Sequence, residues 1–222
     1  MPECISPRFD ARIAACTAAA PSNRQFRLGL LGGTFDPVHI GHLILAQTAY
    51  EQFALDGVLF VPTGRPVRKL DTLSTDAEAR YAMIQRAIAG DERFDVSRIE
   101  IDRPGATYTI DTLRAMCALY GCGAQVFLIA GADAMVDLKT WKDADEIASS
   151  VIVLGAHRAG TKREAFTRGL EDGSFDIRLL AMPQLPVSSQ EIRERVRGGR
   201  SVRYLVVDDV RTYIEDYRLY QQ

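Results

Sequence analysis

Hydrophobic positions along the 222 residues fall into two kinds of run that follow one another. Short continuous apolar segments are bounded by glycine or proline: Phe26 to Gly32 (FRLGLLG), Gly57 to Pro62 (GVLFVP), Ala124 to Gly131 (AQVFLIAG) and Ser150 to His157 (SVIVLGAH). Runs of that length with no polar face predict strands buried on both sides. Between them, apolar residues recur three and four apart. Leu43, Ala46, Tyr50 and Phe53 share one helix face, and TIDTLRAMCALYG predicts a second helix ending at Gly121. Phe94 to Ile101 (FDVSRIEI) alternates and reads as another strand, and Phe175 to Met182 (FDIRLLAM) as the last. Thr75-Asp76-Ala77-Glu78 has the form of a capping box opening a helix to about Ala89, and Ser188-Ser189-Gln190-Glu191 opens a further helix. DDVRTYIEDYRLY closes the chain as a helix.

Strand and helix alternating through short connections predict an α/β fold. The expected architecture is a Rossmann-like, doubly wound, mostly parallel sheet in a single domain, with a small C-terminal helical part. That domain covers residues 26–222. Residues 1–25, rich in Ala, Pro and Ser, read as a flexible extension without the compact apolar stretch of a secretory signal. Ligands of such sheets bind beyond the carboxyl ends of the strands, where the strand order reverses. Gly32 to His42 (GGTFDPVHIGH) directly follows the first strand, and Gly131 to Met135 (GADAM) the fourth.

Composition narrows the chemistry. A formal net charge of -2 supplies no global basic field, so no nucleic-acid partner is expected. Four cysteines without a CxxC pair, beside only three histidines, predict reduced cytoplasmic thiols rather than a disulfide frame or a zinc site. No apolar run reaches the ~20 residues of a membrane span. A homo-oligomer is neither required nor excluded.

In GGTFDPVHIGH the glycines let the backbone turn close to a ligand, and Pro37 stiffens the loop before a helix starts near Gly41. His39 and His42 can then lie on one side of a helix N-terminus. The free N–H groups and dipole there attract anions, and two imidazoles add donors for phosphate oxygens. A metal pair or two surface residues are the other readings of His-x-x-His. The loop is neither GxGxxG nor a P-loop. In SSQEIR, Ser188 and Ser189 cap a helix with Arg193 near its first turn, either a second anion site or plain capping. Asp133 suits a ribose at a strand end or a helix cap, and Trp141, the one tryptophan, suits a ring-stacking wall or the core.

Five ordered segments together resemble one family. GGTFDPVHIGHL, TYTIDTL (Thr107 to Leu113), IAGADAMVDLKTWKDADEI, VSSQEIR and the closing YLVVDDVRTYIEDYRLY are similar to the motifs of bacterial nicotinate-nucleotide adenylyltransferases, in the HxGH nucleotidyltransferase superfamily. The resemblance spans about Phe26 to Tyr220. It implies transfer of AMP from ATP to nicotinate mononucleotide, giving deamido-NAD and pyrophosphate by direct attack without a covalent intermediate. It assigns catalysis to His39, His42 and Arg193. It places Gly32, Gly33, Thr34, Phe35, Lys69, Gly131, Asp133, Ser188 and Ser189 on ATP. Tyr108, Thr109, Trp141 and Lys142 would form the nicotinate mononucleotide pocket. Magnesium is expected as Mg-ATP, held by phosphates and water with no dedicated protein metal site; Asp36 is the nearest acidic candidate, or a turn former. The family's P-P-H-K loop reads Arg65-Pro66-Val67-Arg68-Lys69 here, which keeps the lysine and puts Arg68 in place of histidine. His157 is left as a structural or rim residue.

Other readings lead elsewhere. A class I aminoacyl-tRNA synthetase shares the letters HIGH but would need a KMSKS-like motif and a longer chain. A sister transferase would use nicotinamide mononucleotide or phosphopantetheine, or would be a cytidylyltransferase. A non-catalytic nucleotide sensor on the same fold would bind without turnover.

Overall fold

A computed structural model describes residues 4–18, 24–65, 75–156, 173–183 and 185–221. The strands are β1 (Phe26–Gly33), β2 (Gly57–Pro62), β3 (Phe94–Val96), β4 (Ala124–Ala130), β5 (Ile152–Ala156) and β6 (Ile177–Leu180). The helices are α1 (Asp10–Ala18), α2 (Ile40–Gln52), α3 (Ala77–Ala87), α4 (Thr109–Tyr120), α5 (Ala132–Asp137), α6 (Ala144–Ser150), α7 (Ser189–Arg197) and α8 (Asp208–Asp216).

The strands form one sheet in the order β3-β2-β1-β4-β5-β6. Every pairing is parallel, as buried two-sided strands require, so the sheet is fully rather than mostly parallel among the described residues. Successive side chains point to opposite faces. Leu31, Val58, Phe60, Phe127, Ile129 and Leu154 pack with α2, α3, α7 and α8 on one face. Leu28, Leu30, Leu59, Val61, Leu128 and Val153 pack with α1, α4 and α6 on the other. The order reverses between β1 and β4, and the loops after those two strands meet there.

The structure corrects three expectations. The first is the extension: residues 4–18 are not a flexible arm. Ile5, Phe9 and Ile13, four apart, are buried in the second core. Phe9 fits where β2 starts with Gly57; a Cβ there would lie 2.5 Å from the Phe9 ring. Polar ties complete the seam. The Tyr120 hydroxyl donates to Asp10 Oδ1 at 2.7 Å, and the Ser6 hydroxyl to Asp95 Oδ2 at 2.6 Å. The Ala- and Pro-rich composition hid this one-sided stripe.

The second is β3, which stops at Val96 instead of reaching Ile101. The chain turns over Ile99, Glu100 and Ile101, with the Asp102 N–H donating to the Arg98 carbonyl at 2.9 Å. The apolar–polar alternation of the sequence runs on past the strand, but the burial does not follow it: the adjacent Ile99 and Glu100 are both buried. The third is the cap of α3. Asp76, not Thr75, is the N-cap residue and accepts from the Ala79 N–H at 2.7 Å. The Thr75 hydroxyl is used elsewhere, as described below.

Candidate active site

The loop that leaves β1 turns its first carbonyls into the protein. The Gly33 carbonyl accepts from the Thr63 N–H at 2.9 Å and the Thr63 hydroxyl at 3.2 Å. The Thr34 carbonyl accepts from Arg80 Nη1 at 2.8 Å. Phe35 then adopts φ 52°, the left-handed region, with its ring buried. Asp36 is buried as well, and its Oδ1 accepts from two hydroxyls, Thr75 at 2.6 Å and Tyr220 at 2.8 Å. These two donors engage the one acidic side chain of the loop that sequence offered as a metal candidate.

α2 starts after His39, its N-cap residue. The His39 and His42 rings stack with centroids 3.7 Å apart and 26° between their planes. Phe35 meets His42 edge to face at 4.9 Å between centroids. The His39 N–H donates to His42 Nδ1 at 3.2 Å. A nitrogen that accepts carries no proton, so a neutral His42 ring bears its proton on Nε2. Gly41 makes this stack possible: a Cβ there would stand 3.0 Å from His39 Cε1 and Nδ1. The spacing His-x-Gly-His is thus a packing requirement as well as a chemical one.

α7 reaches the same loop from behind. Ser188 is its N-cap and accepts from the Glu191 N–H at 3.1 Å, as the capping box predicts. The Ser189 hydroxyl donates to the Pro37 carbonyl at 2.9 Å, and Arg193 Nη1 to the Asp36 carbonyl at 2.8 Å. Ser189 and Arg193 stand 152 and 157 residues from those acceptors in sequence. The start of α7 therefore gathers at the signature loop, with Ser189 acting as a clip on its backbone.

Beside this loop, at the carboxyl ends of the central strands, lies a cavity of about 580 Å³. Gly32 and Gly33 line it from the end of β1 and Thr34 from the loop that follows, Gly131 from the loop after β4, Tyr108 and Thr109 from the start of α4, and Trp141 and Lys142 from the segment before α6. Lys142 Nζ sits 4.6 Å from the Tyr108 ring centroid and 3.6 Å from Asp111 Oδ1. The residue after it, Asp143, has φ 53°, a strained turn that delivers Trp141 and Lys142 to the rim. Gly131 is the N-cap of α5, and Asp133 follows in the first turn of that helix. Lys69, Arg68 and His157 lie outside the described residues.

Four contributors escaped the sequence reading. Thr75 and Tyr220 grip Asp36, as above. Arg80, fully buried, shares the apolar phase of α3 with Met83 and Ile84; a cation at that phase was the available signal. Glu100 also lines the cavity. It is buried and its Oε1 accepts from the Thr112 hydroxyl at 2.8 Å. Burial raises its pKa to about 7, against the opposing pull of the Thr112 hydrogen bond and of Arg103 and Arg80.

Among the described residues, no group of three or more His, Cys, Asp or Glu could hold a metal ion. Nor is any described helix long and apolar enough to cross a membrane.

The cytidylyltransferase-like family matches residues 30–195. The probable nicotinate-nucleotide adenylyltransferase of Thermoanaerobacter sp. (strain X514) is 42% identical over 204 residues, covering 90% of this chain and 96% of that protein. A protein of the same description from Thermus thermophilus is 44% identical over 195 residues, covering 88% of this chain and all of the other. In fold, the chain is similar to Plasmodium falciparum nicotinic acid mononucleotide adenylyltransferase complexed with NaAD, with a TM-score of 0.72 at 18% identity over 89% of this chain and 98% of that one.

Proposed function

The chain belongs to the cytidylyltransferase-like family and, within it, to the nicotinate-nucleotide adenylyltransferases, and from that premise we propose that it transfers AMP from ATP to nicotinate mononucleotide, a step of NAD biosynthesis. The 5′-phosphate of the mononucleotide attacks the α-phosphorus of ATP in line. One P–O bond forms, the bond to the bridging oxygen of the β-phosphate breaks, and pyrophosphate leaves with that electron pair. Deamido-NAD is the other product. No protein nucleophile is needed, so the protein's task is positioning and charge stabilisation.

The observation that carries this reading is the adjacency of two unlike surfaces. The stacked His39–His42 pair and the turn Gly32 to Phe35 offer donors to a polyphosphate, and an aromatic cavity with Trp141 and Tyr108 adjoins them. His42 donates from Nε2 to the phosphate chain where negative charge grows, and His39 supports it. Arg193 adds a fixed cation beside the loop. Ser188 and Ser189 hold α7 and the loop in register. Gly131 and Asp133 receive the adenosine ribose. Lys69 reaches the polyphosphate from its own loop. Trp141 and Tyr108 stack on the pyridine ring, while Thr109 and Lys142 face its carboxylate. ATP would enter as its magnesium complex, and the ion, when bound, would supply charge neutralisation at the phosphates without a dedicated set of protein ligands. Magnesium, ATP and nicotinate mononucleotide are the partners this reading requires.

The test is a panel of magnesium with ATP or CTP and each of nicotinate mononucleotide, nicotinamide mononucleotide and phosphopantetheine, read by pyrophosphate release. Turnover should be fastest with ATP and nicotinate mononucleotide. Preference for CTP or phosphopantetheine defeats the proposal, and ATP binding without turnover on any acceptor makes the chain a nucleotide sensor.

A further inference from the structure

Arg80 is a buried cation that the reaction scheme above does not use. It lies on α3 beneath the site, wholly out of solvent. Its guanidinium spans two loops: Nη1 donates to the Thr34 carbonyl at 2.8 Å, after β1, and Nη2 to the Gly64 carbonyl at 3.3 Å, after β2. Its Nε has no hydrogen-bond partner among the described residues. No carboxylate forms an ion pair with it there either; Asp36, Asp76 and Glu100 act on it only through longer-range attraction, and burial lowers its pKa. A guanidinium buried against neutral carbonyls is expensive unless an anion comes near.

Peptide geometry gives that arrangement a consequence. Across a trans peptide the carbonyl of one residue and the N–H of the next point in opposite directions. Thr63 holds the Gly33 carbonyl inward, which turns the Thr34 N–H the other way. Arg80 does the same to the Thr34 carbonyl, which turns the Phe35 N–H outward. Among the described residues neither N–H has a protein acceptor. Successive backbone N–H groups beside a left-handed residue can form a concave anion cradle, and Phe35 at φ 52° supplies such a residue.

We propose that Arg80 is a positioning residue: from behind the site it pins the Thr34 carbonyl and thereby aims the Phe35 N–H, beside that of Thr34, at the transferring phosphates. The inference rests on the adenylyl-transfer reading for the identity of the anion. A planar fork is needed because one cation must reach carbonyls of two separate loops. The ammonium of lysine is a point charge and cannot span both.

The decisive variant is Arg80→Lys, which keeps the charge and loses the span; Arg80→Met removes both. Two ligands separate the ends of the site. Inorganic pyrophosphate probes the cradle by calorimetry, and nicotinate riboside, which has no phosphate, probes the ring cavity by quenching of Trp141, the only tryptophan. In Arg80→Lys, pyrophosphate affinity should fall at least about tenfold, with nicotinate riboside binding within about twofold of wild type. The kcat for adenylyl transfer should drop at least as far, with KM for nicotinate mononucleotide little changed. Arg80→Met should be worse on the same axis. A folded Arg80→Lys protein with wild-type pyrophosphate affinity and kcat overturns the proposal. So does equal weakening of both ligands alongside lost thermal stability, or failure of Arg80→Lys to fold, either of which assigns Arg80 to the scaffold. If the wild-type protein binds pyrophosphate but transfers no AMP, the adenylyl-transfer reading falls while the ligand comparison still judges Arg80. Absence of pyrophosphate binding to the wild type overturns the role of Arg80 whatever the activity.

Discussion

The Tyr220 hydroxyl donates to Asp36 Oδ1 at 2.8 Å, joining residues 184 apart in sequence. Asp36 lies in the loop that carries His39, and Tyr220 lies beyond α8, so the end of the chain closes over the start of the candidate site. Burial raises the Tyr220 pKa far above the usual phenol range, with the neighbouring Asp36 carboxylate adding to the effect; the phenol stays a donor at any working pH. Tyr220→Phe keeps the ring and removes the donor. Stability should fall by about 1–2 kcal/mol in denaturant unfolding. Because the loop then loses one of its holds, kcat should fall severalfold with KM for both substrates nearly constant. Wild-type kcat in this variant would mean that Tyr220 serves the core alone.

Gly41→Ala separates stability from activity. The added methyl would stand 3.0 Å from the His39 ring, which must give way and so disturb its stack on His42. Alanine in a helix is favoured over glycine by up to ~1 kcal/mol. The variant should melt no lower than wild type and turn over at least about tenfold more slowly. A drop in melting temperature together with unchanged kcat would refute the packing reason for this glycine.

His42→Ala removes the donor that the proposed adenylyl transfer assigns to the phosphates. By analogy with loss of one oxyanion donor, kcat should fall by roughly 10²–10³ with ATP binding changed far less. Steady-state kinetics beside equilibrium ATP binding measure the two separately. If the loss appears mainly in ATP affinity, the ring binds the ground state instead.

Glu100 makes stability depend on pH. Its pKa rises from the ordinary 4.5 to about 7 in the folded chain, chiefly through burial. A raised carboxyl pKa means that the folded state binds more protons than the unfolded state between those values. Stability from this group is therefore greatest below about 4.5 and declines as pH rises toward 7. Glu100→Gln keeps an acceptor for Thr112 and abolishes the titration. Its stability relative to wild type should improve between pH 5 and pH 8, by up to about 3 kcal/mol on the scale of ~1.4 kcal/mol per pKa unit. Parallel stability curves for the two proteins over that window would show that Glu100 does not titrate there.

Phe9→Ala tests the N-terminal helix. Phe9 is fully buried against Phe26 and Gly57, so truncation should destabilise the chain by about 3 kcal/mol or more. Removing residues 1–18 should do at least as much. Unfolding midpoints that match wild type would show that the helix is dispensable to the sheet beneath it.

The pattern of apolar runs determined much of the architecture. β2 runs over Gly57–Pro62 as expected, β1 and β4 differ from expectation by one residue at one end, and α4 ends at the glycine that the sequence marks. The local arrangement of the first loop was equally legible, because His39, Gly41 and His42 meet through spacing within one turn of helix. These are local properties: strand and helix periods, capping and turn residues are set by backbone geometry over a few positions.

Only the tertiary structure decided which polar groups meet. Thr75 reads as a cap and instead binds Asp36; Arg80, which carries no mark in the sequence reading, sits beneath the Thr34 and Gly64 carbonyls; Ile5, Phe9 and Ile13 read as part of a loose extension and instead complete a core. A buried donor takes whichever acceptor the packing brings within about 3 Å, and that acceptor carries no mark in the neighbouring sequence. The chain's own pattern thus specified the sheet and the local shape of the first loop, while packing between distant segments decided which polar groups hold that loop in place.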